Sequence, residues 1–242
     1  MPASSLRPGR APRRAPSLLA AALSIALLAS CGSKVIDLRE PQPADPTPFP
    51  STPVLAVQRL AWSWNHRDPE PCEDLYSADF RFESGAADSI PPSAGWFRES
   101  ELESIENLFV RGYATLPPAD HITFLTDGAL LDQPSTVPGH DPKWHRVITT
   151  EIALGVRTMD GNFAAMGSTR FEVVRGDSAR IPQMLRDRGY ETDSTRWWIE
   201  RWFDTPPPSI HENGAVRPAG ATPVRYVSIA EIKRIYVGLP PD

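Results

Sequence analysis

The chain has 242 residues, with 25 basic and 30 acidic side chains and a formal charge of -5. Arg7, Arg10, Arg13 and Arg14 all lie in an opening stretch that holds no acid, so the remainder carries a charge of -9, which repels phosphate backbones and excludes nucleic acid as a partner. The 27 prolines gather before residue 54, between 91 and 142 and after 205, so the ends read as extended linker around one packed domain.

The four arginines precede an apolar run from Ala15 to Ala29. As a helix it would reach only about 22 Å, too short for a hydrocarbon core of about 30 Å, and it is expected to be an export signal over residues 1–30. Its end, Leu28-Ala29-Ser30-Cys31, resembles the bacterial lipobox, which is cut just before a cysteine that carries lipid on its sulfur. The resemblance implies a palmitate-bearing lipoprotein of the cell envelope. Its acyl chains, at about 0.8 kcal/mol per buried methylene, give a stable anchor in the outer membrane or the outer leaflet of the inner membrane. Residues 31–53 follow as a tether with six prolines in the last thirteen positions, a semi-rigid spacer that holds a domain off the bilayer. With Cys31 acylated, Cys72 is left without a disulfide partner and reads as a buried, apolar-like thiol.

Val54 to His66 places Val54, Val57, Leu60, Ala61 and Trp64 at helical spacing, with Pro53 just ahead, where proline is tolerated. Asp68-Pro69 ends this helix and caps a short second one over Glu70 to Tyr76. Ser77-Ala78-Asp79 then turns the chain into a strand carrying Phe80 and Phe82. Over Gly95 to Val110 a third helix is expected, capped by Ser100 with Glu103 three residues on. Its stripe of Leu102, Ile105, Leu108 and Phe109 faces the core, and Glu101, Glu103 and Glu106 face water.

The period changes to two from Asp120 onward. Asp120 to Leu131 alternates loosely, and a loop over Gln133 to Pro142 follows. Trp144, Arg146, Ile148, Thr150, Ile152, Leu154 and Val156 then alternate in a long strand. Asp160-Gly161-Asn162 signals a hairpin, and Phe163, Ala165, Gly167, Thr169, Phe171 and Val173 form the return. Arg196 to Asp204, RWWIERWFD, has too much aromatic area to lie outside a core. A bulge near Glu200 would bring Trp197 and Trp202 to the same face and bend the strand. After Thr205-Pro206-Pro207-Pro208 and a Pro/Gly-rich stretch, Ser228 caps a short amphipathic helix bearing Ile229, Ile232, Ile235 and Tyr236, which needs a surface to lie against.

The succession of helix, Asp-Pro, short helix, Leu75-Tyr76-Ser77-Ala78-Asp79-Phe80-Arg81-Phe82, third helix and long strands ending in Trp-x-Ile-x-x-Trp-x-Asp resembles the nuclear transport factor 2-like superfamily. That group contains the SnoaL-like cyclases and ketosteroid isomerases. The resemblance covers residues 54–205 and implies an α+β fold, a curved antiparallel sheet forming a half-cone with three N-terminal helices packed on its concave face. Residues 206–242 form the tail. The isomerase pattern places its phenol at Leu60 and its base at Ser84, neither of which can do that work.

The candidate pocket is Trp64, Phe80, Phe82, Ser84 and His121 from the first half of the domain. The second half adds Trp144, Arg146, Phe171, Trp197 and Trp202, whose rings with Arg146 suit an anionic or aromatic ligand. No cofactor and no metal are expected, since no His/Cys/Asp/Glu set has ligand spacing. Two functions stay open. One is a non-catalytic module that holds a small apolar or aromatic ligand or dimerises; the other is a SnoaL-like enzyme pairing His121 or His145 with a carboxylate. An open cavity with an acid or histidine inside favours the enzyme, and a cone plugged by side chains favours the module.

Overall fold

In a computed structural model, residues 46–85, 96–176, 181–190, 195–207 and 223–237 are described. Cys31, the apolar export run and the spacer up to residue 45 lie outside the described residues, as does most of the loop after the last long strand.

Helix α1 spans Pro53–His66. Thr52 caps it by accepting the Leu55 amide at 3.1 Å, and Pro53 is its first residue, where no amide is missed. Its buried face carries Val57, Leu60 and Trp64, as the spacing predicts. The short helix α2 stops at Glu73 (Glu70–Glu73), earlier than expected, and strand β1 (Tyr76–Ser84) already contains Ser77-Ala78-Asp79. Those residues are an irregularity in the strand, marked by a register shift between Tyr76 and Arg81.

Strand β2 (Trp96–Phe97) leads into helix α3 (Arg98–Glu106), extended by a π turn over Asn107–Arg111. The residue at its N-cap is Phe97 and no side chain caps it. The Ser100 capping box is therefore not formed, because the helix begins two residues earlier. Gly112, at φ +73°, ends the turn where a Cβ would meet the Leu116 carbonyl oxygen at 2.4 Å.

Three long strands follow: β3 (His121–Pro134), β4 (His145–Thr158) and β5 (Gly161–Arg175). Helix α4 (Gln183–Asp187) precedes strand β6 (Trp197–Thr205), and strand β7 (Val224–Tyr226) and helix α5 (Ile229–Ile235) complete the order. The sheet runs β2-β1-β6-β5-β4-β3. It is antiparallel except where β1 meets β6 and β7 meets β5. Strand β5 is longer than β6, whose last partner is Ser168. Proline at 206 and 207 cannot continue the ladder, and β7 takes over the free edge at Asn162–Ala164.

Two further irregularities interrupt the strand ladders. Gly128, at φ +90°, lies where β3 slips against β4 between Asp127 and Leu131. In β6, Glu172 pairs with Arg201 and Val173 with Ile199, so Glu200 is the extra residue of a bulge. Trp197 and Trp202 are thereby both buried in the main core, as the sequence predicts, while Trp198 packs on the other face with Val174, Ile181 and Leu185. Asn65 clamps the end of α1 to β3 by exchanging hydrogen bonds with the Phe124 backbone at 2.6 and 3.0 Å.

Candidate functional site: the cone interior

Trp202 sits at the centre of the concave face. Phe171 lies 5.3 Å from it between ring centroids, Phe82 5.5 Å, Trp64 6.1 Å and Phe124 6.2 Å. Four elements thus contribute rings around one indole: α1, β1, β3 and β5. Most of these pairs are edge-on, the arrangement in which each contact adds about 0.5–1.5 kcal/mol beyond its buried area.

Into this aromatic shell α5 inserts a lysine. Lys233 is wholly buried, with its ammonium 3.8 Å from the Trp202 ring centroid, 4.2 Å from Phe82 and 5.6 Å from Trp64. It donates to Glu101 Oε1 on α3, a carboxylate that is also fully buried. Glu101 further accepts from the Tyr76 hydroxyl at 3.1 Å and from Trp96 Nε1 at 2.8 Å. Burial pushes the Lys233 ammonium below its usual range, and Glu101 pulls it back up. The Tyr76 phenol is driven well above its ordinary value by burial and by the adjacent Glu101 charge.

A second carboxylate faces the same interior. Asp204 is buried at the end of β6, in register with Ser84 of β1, and neither of its oxygens makes a hydrogen bond of ordinary geometry. Burial raises its pKa to about 6, against the opposing influence of Lys233 and the Ser84 hydroxyl. The Nε1 groups of Trp64 and Trp202 are likewise buried without an acceptor. Cys72 is free and buried, 2.9 Å from the Ser63 hydroxyl, and burial pushes its thiol up to about 12.

Helix α5 is held by three further polar contacts. Ser104 Oγ donates to the Lys233 carbonyl at 3.1 Å, Asn107 Nδ2 to the Tyr236 carbonyl at 2.7 Å, and Tyr236 Oη to the Pro117 carbonyl at 3.0 Å. The amphipathic tail therefore docks on its own domain. A bent sheet with α1 and α3 across its concave side and β1 parallel to β6 decides the architecture. The fold is an α+β half-cone, a curved, unclosed sheet with helices packed against it.

No protein-family model matches the sequence, and no curated protein matches it. Among solved structures the cone is similar to an NTF2-like superfamily protein from Salmonella enterica serovar Typhimurium at 14% identity, covering 66% of this chain and 92% of that one, with a TM-score of 0.41. It is also similar to an NTF2-like protein from Rhodospirillum rubrum at 10% identity, covering 64% and 97%, TM-score 0.41. A third is the beta subunit of benzoate 1,2-dioxygenase from Burkholderia mallei, at 12% identity, covering 63% and 86%, TM-score 0.41. At these values none of them speaks to what this chain binds or does.

Of the residues expected in the pocket, the cone brings together Trp64, Phe82, Phe171 and Trp202, with Ser84 at its rim beside Asp204. Phe80 is buried against the Tyr76 ring at 4.2 Å. His121 is buried on β3, 3.2 Å from the Thr123 hydroxyl. Trp197 is buried beneath the Arg175 guanidinium. Trp144 and Arg146 depart from the expected pocket. Trp144 is 37% exposed and stacks on Arg175, and Arg146 forms an ion pair with Asp132 at 2.7 Å. Their parity matches the buried face, but they sit where β4 begins, beyond the apolar stretch that opens at Ile148. His145 stacks on His140 at 4.1 Å, and Glu151 is exposed.

The charged residues of the interior are those the sequence reading missed. Glu101 is expected in water yet is 0% exposed, because its indole, phenol and ammonium donors replace the water it loses. The available signal was position: Lys233 lies four residues after Ile229 and three before Tyr236, and Glu101 four before Ile105. Both sit on an apolar helical stripe.

Proposed function

We propose that this protein is an envelope lipoprotein, acylated on Cys31 and held off the bilayer by its proline-rich spacer, whose cone is a non-catalytic module that binds a small ligand or dimerises. The observation that supports the non-catalytic reading is the burial of Lys233 against Glu101. The interior is occupied by the chain's own side chains, and the Glu101 carboxylate is already engaged by three donors. A carboxylate so engaged has little freedom to accept a substrate proton.

Mass spectrometry of the protein purified from the membranes of its native cell tests the anchor. The expected product begins at Cys31 with a diacylglyceryl thioether, and Cys31→Ser releases the protein from the membrane fraction. Recovery of unacylated chains that start upstream of Cys31 overturns the localisation.

One observation favours the enzymatic alternative, a cyclase or isomerase. Asp204 is a buried carboxyl whose pKa of about 6 suits acid/base exchange near neutrality. Turnover of a small apolar or aromatic substrate that is lost in Asp204→Asn, with the fold unchanged, would establish that reading in place of the first.

A further inference from the structure

We propose that the aromatic interior of the cone is a binding site for an alkylammonium ion, filled in this structure by Lys233 as a tethered, intramolecular ligand. This rests on the reading of the cone as a binding module and names the chemistry that the module selects.

Three features point to the cation. The first is the cage: ring faces of Trp202, Phe82 and Trp64 lie within about 6 Å of one ammonium, the range in which the ring quadrupole attracts a cation. The second is charge, since two carboxylates face a single lysine. Glu101 pairs with it directly, while Asp204 is buried without a well-formed hydrogen bond. The interior therefore has more capacity to accept N–H groups and to balance positive charge than Lys233 uses.

The third feature is the way the occupant is supplied. Lys233 belongs to a helix of seven residues, which has no stability of its own in water. It stays in place by docking. A buried ion pair is not needed to fill that space, because apolar residues of similar volume commonly serve as well or better. The pair instead gives the interior a preference for a cation. A free amine competes with a tethered one, whose effective concentration is on the order of millimolar. Binding to the intact chain is accordingly weak and displaces α5, and it strengthens when the lysine side chain is shortened.

The probe is n-propylammonium chloride, which restores the atoms lost in Lys233→Ala. The variant is titrated with the amine, with n-propanol and with sodium chloride at matched ionic strength, following tryptophan fluorescence and Tm. The expected result is a saturable response with a dissociation constant about tenfold or more tighter for the amine than for the alcohol. The preference is lost in the Lys233→Ala/Glu101→Gln double variant. Equal responses to amine and alcohol, or none in a variant whose near-ultraviolet dichroism is native, overturn the proposal.

Where Lys233→Ala does not fold alone, refolding on addition of amine supports the site. The unaltered chain supplies the second measurement. In it, n-propylammonium should speed amide exchange over residues 229–236 relative to matched sodium chloride, and unchanged exchange counts against the proposal. Amine recovered chemically altered would sink the non-catalytic reading while leaving the cation site standing. Absence of any amine effect sinks the site and leaves the lipoprotein reading untouched.

Discussion

Lys233 and Glu101 lie 132 positions apart in sequence, yet they form an ion pair in which neither side chain reaches solvent. Removing one partner leaves the other charged in an apolar interior. We predict that Lys233→Ala destabilises the domain by about 3–5 kcal/mol. Replacing both partners, as in Lys233→Met/Glu101→Leu, should lose much less than the sum of the single changes. Urea unfolding of the four proteins in a double-mutant cycle measures the coupling, and strictly additive losses would mean that the pair does not act as a unit.

Asp204 sets a pH dependence whose sign follows from its raised pKa. The native state holds its proton up to about pH 6, whereas the unfolded chain releases it near the ordinary aspartate value of 3.8. The stabilising contribution is full below pH 3.8 and is lost as pH rises through about 6. The shift corresponds to about 3 kcal/mol. Asp204→Asn should remove this segment of the stability profile between pH 4 and 6.5, measured by denaturant melts. An unchanged slope there would place the titration elsewhere.

Cys72 should be chemically silent in the native protein. Its thiol is buried and held neutral up to about pH 12, and the thiolate is the reactive form. Iodoacetamide at pH 8 is expected to leave Cys72 unmodified for hours and to alkylate it within minutes in urea, read by peptide mass. Rapid native labelling would mean that the interior opens.

The bulge at Glu200 is open to a direct test. Deleting Glu200 removes the extra residue and leaves Trp197 and Trp202 four positions apart, on one face of an unbulged strand that keeps its partners on β5. The near-ultraviolet dichroism of the tryptophans should therefore be retained, with a loss of about 1–3 kcal/mol from removal of the bulge. An abolished spectrum would show that the bulge itself, and not only the shared face, is needed to pack the rings.

Helix α5 should open more easily than the sheet. Ser228 caps it by accepting the Glu231 amide at 3.0 Å, and Ser228→Ala should cost about 1 kcal/mol. That loss should appear as faster amide exchange confined to residues 229–236, leaving β4 and β5 protected. Uniform acceleration across the domain would instead make α5 part of the global folding unit.

Periodicity made α1, the β4–β5 hairpin and the Glu200 bulge legible, because each is a stretch where one repeat governs many apolar residues. Three things were hidden for physical reasons. The early start of β1 at Tyr76 depends on pairing with Ile199, a long-range contact without a local signature. The outward placement of Trp144 and Arg146 reflects where the covered part of the sheet ends, which alternation alone does not mark. Glu101 and Lys233 were misread because charge on a helix usually means solvent. Their burial becomes tolerable only through donors and rings brought together from five separate elements.

The position of Lys233 near the C-terminal end of the described chain has a consequence for biogenesis. Until α5 has emerged and docked, Glu101 has only the tyrosine and tryptophan donors against its charge. A nascent chain lacking that helix would carry an incompletely neutralised carboxylate at its heart. Completion of the interior is thus coupled to docking of α5, and a polypeptide ended before it would present proteases with a loosened domain.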